Sequence, residues 1–124
     1  MIRAFSWIAV AYLIAGAVAV AIAISLRGEH PILVAGAADL GATVAIFGFS
    51  RAFRNSSFYD AYWSVAPIPI AFYWWLSAPD SGADPVRRLL VLTLVSLWGI
   101  RLTYNWARGW RGLGHQDWRY ADLQ

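Results

Sequence analysis

Ala4–Leu26 reads AFSWIAVAYLIAGAVAVAIAISL, 23 residues without a charged side chain. At about 1.5 Å per residue this run makes a helix of roughly 34 Å, enough to cross the hydrocarbon core of a bilayer. Secretory signal peptides carry apolar cores of about 7–15 residues, so the run is read as a span rather than a leader. Ala11, Ala15, Ala19 and Ala23 recur every fourth residue. On a helix they form a smooth stripe along which a second helix can approach closely.

Three further segments follow the same pattern. Gly28-Glu29-His30-Pro31 is a tight connection, and Pro31 suits a helix start, where its missing N–H leaves no intrahelical bond unmade. Ile32–Phe49 is apolar apart from Asp39 and Thr43, and Ala37, Gly41 and Ala45 repeat the small-residue stripe. The first two helices should therefore form a close antiparallel hairpin. Ser50–Ser57 reads as a polar loop. Tyr59–Leu76 is a third span with Pro67 and Pro69 inside it; these remove two helical donors and free the carbonyls near Trp63 and Val65. In a membrane such a break is tolerated only against protein or a wet cavity, so this helix should be kinked or discontinuous. Ser77–Pro85 is a second loop, and Val86 to about Trp106 a fourth helix. The expected architecture is an all-α integral membrane unit over 1–124, with about four transmembrane spans (4–26, 32–49, 59–76, 86–106) and an Arg/Trp-rich tail, 107–124.

Composition agrees. Hydrophobic residues make up 60% of the 124 residues and charged residues 14%, against about 45–50% and about 25% in soluble domains. A soluble domain of this size has too little interior to hide that excess. The absence of cysteine excludes disulfides, thiolate catalysis and Cys-ligated metals. With only His30 and His115, a histidine-rich metal site is not expected. The positive charge is all arginine; the lack of lysine excludes a Schiff base. With the N-terminus inside, Arg3, Arg51, Arg54, Arg101, Arg108, Arg111 and Arg119 fall on the inner side, and Arg27, Arg87 and Arg88 on the outer. That imbalance places both termini in the cytoplasm. The basic residues do not form a nucleic-acid patch.

The chemistry-bearing residues gather in two places. Arg101–Tyr120, RLTYNWARGWRGLGHQDWRY, holds four of the ten arginines and three of the eight tryptophans. Arg101, Tyr104, Asn105 and Arg108 stand at i, i+3, i+4 and i+7 and share a helical face. Arginine forks grip phosphates, and the aromatic rings stack on flat groups or seat at a bilayer surface. A ligand site and an interfacial aromatic belt both fit; a buried Asn105, which would need hydrogen-bond partners, favours the former. His115-Gln116-Asp117 could pair a base with a carboxylate only in a loop, because residues two apart do not face each other on a helix. Asp39, deep in the second span, is either a proton donor or a carboxyl bonded to a neighbouring helix. Ser57-Phe58-Tyr59-Asp60 has the form of a capping box, yet Asn55, Tyr59, Asp60, Tyr62 and Trp63 are more hardware than a cap needs.

NSSFYDAYWSVAP (Asn55–Pro67) and RLTYNWARGWRGLGHQDWRY resemble a bacterial membrane family with a domain of unknown function, grouped with the steroid 5-alpha reductases and more distantly with isoprenylcysteine methyltransferases. The resemblance implies a multi-pass protein of the bacterial inner membrane. It implies an NAD(P)H-dependent reduction of a double bond in a lipid-like steroid, isoprenoid or fatty-acyl substrate. By it, Tyr59 and Asp60, with Asp39 in reserve, would be the catalytic residues. Tyr104, Asn105, Arg108, Arg111 and Arg119 would bind NADPH. Family members are longer, with much of the cofactor pocket in a second half, so the chain corresponds to their N-terminal half. A companion C-terminal half or a homo-oligomer would complete it. Two other readings stand beside this one: a non-catalytic four-helix membrane module that binds lipid or a partner membrane protein, and an S-adenosylmethionine site. The second is disfavoured because that cofactor is cationic at sulfur while the tail is basic.

Overall fold

The computed structural model describes residues 2–77 and 82–113, and every regular element among them is helical: α1 (Ile2–Ser25), α2 (Pro31–Phe53), α3 (Ser57–Asp60), α4 (Tyr62–Val65), α5 (Pro67–Ser77) and α6 (Pro85–Gly109). By length and composition, α1 and α2 are each apolar enough to cross a membrane. Helix α6, at 25 residues, matches them in length.

The helix starts follow local chemistry. The His30 imidazole Nδ1 accepts from the Ile32 N–H at 3.3 Å, and the Asp84 carboxylate accepts from the Val86 N–H at 2.9 Å. Each side chain thereby satisfies an orphan donor of the first turn, with Pro31 or Pro85 seated where no N–H is needed. Helix α2 runs past the expected Phe49 to Phe53, whose ring packs on Trp7 at 5.1 Å and on Phe58 at 5.1 Å. It stops at Arg54, which caps it in the left-handed conformation with φ 48°.

Helices α1 and α2 form the expected hairpin. Ala11 and Ala15 of the α1 stripe are buried. On α2 the buried row is Val34, Ala35, Ala42 and Ile46, beside the expected Ala37, Gly41 and Ala45 rather than on it. A packed helix presents a stripe wide enough to hold both rows, and Gly41 still lies directly under Ile22 and Val18.

The third segment is discontinuous. Ala61 and Ala66 separate three short helices, the second break falling where Pro67 cannot donate back to Trp63. The broken stretch is covered by α6: the Ser64 Oγ lies 2.8 Å from the Thr103 Oγ1, and the Ser64 carbonyl faces Gly99 so closely that a Cβ there would sit 2.5 Å from it. At the other end of this segment the Ser57–Asp60 capping box does not form. Ser57 is already inside α3, and its N–H donates to the Asn55 Oδ1 at 2.8 Å. The Asn55 amide oxygen thus takes the donor that the box would have given to Asp60.

Three substitutions test this packing and the cap of α2. Gly99→Ala places its methyl against a backbone carbonyl, which cannot move aside, and should cost about 1–3 kcal/mol in denaturant unfolding. Gly41→Ala meets only side chains, those of Ile22 and Val18, and should cost less. Arg54→Gly relieves the left-handed backbone and should stabilise by about 1 kcal/mol in the same assay.

Candidate functional site

Three helices bring together a row of hydroxyls on a carboxylate. The Tyr62 hydroxyl of α4 donates to the Asp39 Oδ1 of α2 at 2.8 Å. The Asp39 carbonyl is also within 3.3 Å, but the single phenolic proton goes to the nearer acceptor. Thr43, one turn beyond Asp39, donates to the same phenol oxygen at 3.2 Å. From α1, Tyr12 donates to the Phe58 carbonyl at 3.0 Å, sets its ring edge-on to Tyr62 at 6.3 Å, and lies within electrostatic reach of Asp60. Asp39 is thus bonded to a side chain of a neighbouring helix. Its bond also orients the Tyr62 phenol.

This row ends an apolar groove of about 290 Å³ between α1, α2 and the broken segment. Its walls come from Ala15, Ala19, Ala38, Ala42, Pro69 and Ile70, and Tyr12, Asp39 and Tyr62 supply the polar end. The alanine stripe therefore does more than pack: where α5 lifts away after Ala66, its small side chains leave room for a slender apolar molecule. Of the expected catalytic residues, only Asp39 lines this groove. Tyr59 stands behind it, its ring against Tyr62 at 6.0 Å and Trp63 at 5.7 Å, and Asp60 is half-buried in α3. Tyr12 and Tyr62 were missed as site residues. A carboxylate deep in an apolar span needs a donor, and Tyr62 is a phenol in the adjacent polar-aromatic run.

The cofactor candidates gather elsewhere. Tyr104, Asn105, Arg108 and Arg101 share a face of α6, as their spacing requires, and all are exposed. The Arg108 guanidinium lies 5.7 Å above the Tyr104 ring. Arg111 is also exposed, and Arg119, like His115 and Asp117, falls outside the described residues. Asn105 is not the buried amide expected of it. The buried amide is Asn55, which donates to the Leu113 carbonyl at 2.6 Å while its Oδ1 holds the Ser57 N–H. The inward side of α6 carries Thr103 and Trp106; Trp106 stacks on Trp110 at 5.0 Å, and Phe5 of α1 meets Trp110 edge-on at 4.7 Å. Among the described residues no cluster of His, Asp or Glu could hold a metal ion.

Removing the Tyr62 hydroxyl strips Asp39 of its donor. Tyr62→Phe should lower unfolding free energy by about 1–3 kcal/mol, whereas Tyr104→Phe on the open face should change it by less than about 0.5 kcal/mol. Denaturant titration in detergent micelles checks both.

No curated protein and no solved structure matches the chain. A family described as a protein of unknown function, DUF1295, matches residues 46–124. That stretch runs from the end of α2 through the broken helix and α6, and so contains Tyr62 and the whole arginine face. With more than half of its length matched, the chain belongs to the DUF1295 family.

Proposed function

We propose that the chain is a membrane-embedded, NAD(P)H-dependent reductase-like protein, related to the steroid 5-alpha reductases and acting on a double bond in a lipid-like substrate. Its setting is a bacterial inner membrane, with both termini on the cytoplasmic side. The observation that carries this reading is the apolar groove that ends on the Asp39–Tyr62 pair. Membrane insertion is supported by the outer faces of the helices, where Leu13, Leu40, Val44 and Val86 stand exposed. Contiguous apolar surface of that kind suits hydrocarbon rather than water.

The groove accepts the apolar body of a substrate, and a carbonyl at its polar end would have to draw the one Tyr62 phenolic proton away from the Asp39 Oδ1. Thr43 donates to the phenol oxygen and holds it in place while that proton turns from Asp39 to the ligand. Drawing charge onto the carbonyl leaves a conjugated double bond electron-poor. Tyr59 supports the Tyr62 ring from behind.

On α6, the chemistry of the exposed face suits a dinucleotide: Arg101, Arg108 and Arg111 offer forks for phosphate, Tyr104 a ring for stacking, and Asn105 an amide for polar edges. A reduced nicotinamide cofactor, when bound, supplies hydride. These groups point away from the other described helices, so the same face also suits a partner membrane protein, as the non-catalytic module reading requires.

The two readings part on nucleotide binding. NADPH at about 100 times its Kd should stabilise the purified chain by about 2.7 kcal/mol, and Asn105→Ala and Arg108→Ala should each remove most of that gain. A melting temperature that does not move with NADPH sinks the reductase reading. Mutants that change assembly without changing nucleotide affinity favour the module.

A further inference from the structure

The start of α1 and the end of α2 carry three arginines and no acid. Arg3 stands in the first turn of α1, Arg51 in the last turn of α2 and Arg54 at its cap. No Asp or Glu occurs before Glu29, and none between Gly41 and Tyr59. Trp7, one turn inside Arg3, packs on Phe53 at 5.1 Å, so the three arginines surround a single helix contact. All three are exposed, and their guanidiniums make no hydrogen bond or ion pair among the described residues. The positive end of α1 and the negative end of α2 lie side by side and offset each other. The guanidiniums therefore set the local field.

Arg54 is also held in a costly conformation. Its φ of 48° and ψ of 44° lie in the left-handed region, which favours glycine because a Cβ crowds the backbone there. The cap itself does not use the arginine side chain: its bonds run from the Arg54 backbone N–H to the Ser50 and Arg51 carbonyls. Glycine would close the helix equally well. Backbone strain kept without any internal return points to a role for the guanidinium outside the described helices.

The surface leading away from these charges is apolar. Leu40, Val44, Phe47 and Arg51 follow one another at i, i+4, i+7 and i+11, on one face of α2, and all four are exposed. Exposed Trp7 marks the water–bilayer boundary at the same end. A soluble anion would meet the arginines and leave the stripe uncovered, and a neutral hydrocarbon would cover the stripe and leave the charges unmatched. We infer that this end of the α1–α2 hairpin binds an anionic phospholipid, its phosphate on Arg51 and Arg54 with Arg3 beside them, and an acyl chain along Leu40, Val44 and Phe47. The site rests on the membrane-insertion part of the proposed function and is independent of the reductase chemistry.

The test uses the full chain reconstituted in phosphatidylcholine bilayers with and without phosphatidylglycerol. Alkaline extraction scores insertion; native mass spectrometry and melting temperature score lipid binding. Phosphatidylglycerol should bind in preference to phosphatidylcholine, and Arg51→Gln should weaken it about fivefold. Arg54→Gly should weaken it by a similar factor while the melting temperature in pure phosphatidylcholine holds or rises, which separates lost binding from lost folding. Arg51→Lys should keep the preference. Phe47→Ala should weaken binding without changing charge, and it carries the test if Arg51→Gln does not fold. Arg27→Gln removes the same charge from the other end of the hairpin and should have little effect. Insertion without lipid discrimination, equal loss in Arg27→Gln, or equal stabilisation by inorganic phosphate would each overturn the site and leave the reductase reading standing. A chain that enters neither bilayer takes down the insertion reading and the site with it.

Discussion

Two prolines in one apolar segment set the terms for everything around them. Pro67 and Pro69 cannot donate, and the carbonyls they strand have no water to turn to inside a packed bundle. The chain responds by bringing α6 up against the break, Gly99 under the Ser64 carbonyl and Thr103 on the Ser64 hydroxyl. Glycine is required there because any side chain would hold α6 away. The broken segment gives short, separately oriented pieces where a straight helix would have closed the space beside α1. The groove is the volume left by that geometry.

The polar row at the end of the groove depends on the same break. Tyr62 belongs to α4, one turn before the second interruption, and its phenol reaches across to Asp39 and Thr43. A carboxylate at that depth is tolerable only with a donor beside it, so Asp39 and Tyr62 require one another. The pair is at once a structural tie between α2 and α4 and, with Tyr12, a polar feature that a ligand in the groove would meet. The arginine face of α6 is built on the opposite principle. Its residues are exposed and make few internal bonds, so they are free to serve something outside the described helices.

Much of this architecture is legible in the residues. The uncharged run Ala4–Leu26, the helix-starting prolines and the small-residue stripe on α1 each state a local rule, and each rule holds. The break at Ala66 also follows from Pro67 and Pro69; the one at Ala61 does not. What could not be read was which distant groups would meet. Asn105 resembled a buried amide, but its side of α6 faces outward, and the buried amide is Asn55. Ser57 and Asp60 have the spacing of a cap, but Asn55 sits closer to the donor. Tyr62 was one of several aromatic residues in its run, and only the rotation of α4 against α2 selects it over Tyr59. Spacing along a chain fixes the faces of a helix; it does not fix which face a neighbour will claim.

The stacking of Trp110 on Trp106 and its edge contact with Phe5 join the beginning of α1 to the end of α6. Together with the bond from Asn55 to the Leu113 carbonyl, 58 residues apart, they form a seam between early and late parts of the chain. During synthesis, the aromatic cluster around Phe5, Phe53 and Phe58 emerges first and waits uncovered until α6 has passed. An interruption of translation anywhere before Trp110 would therefore leave an unsealed aromatic surface for the cell's quality control to find.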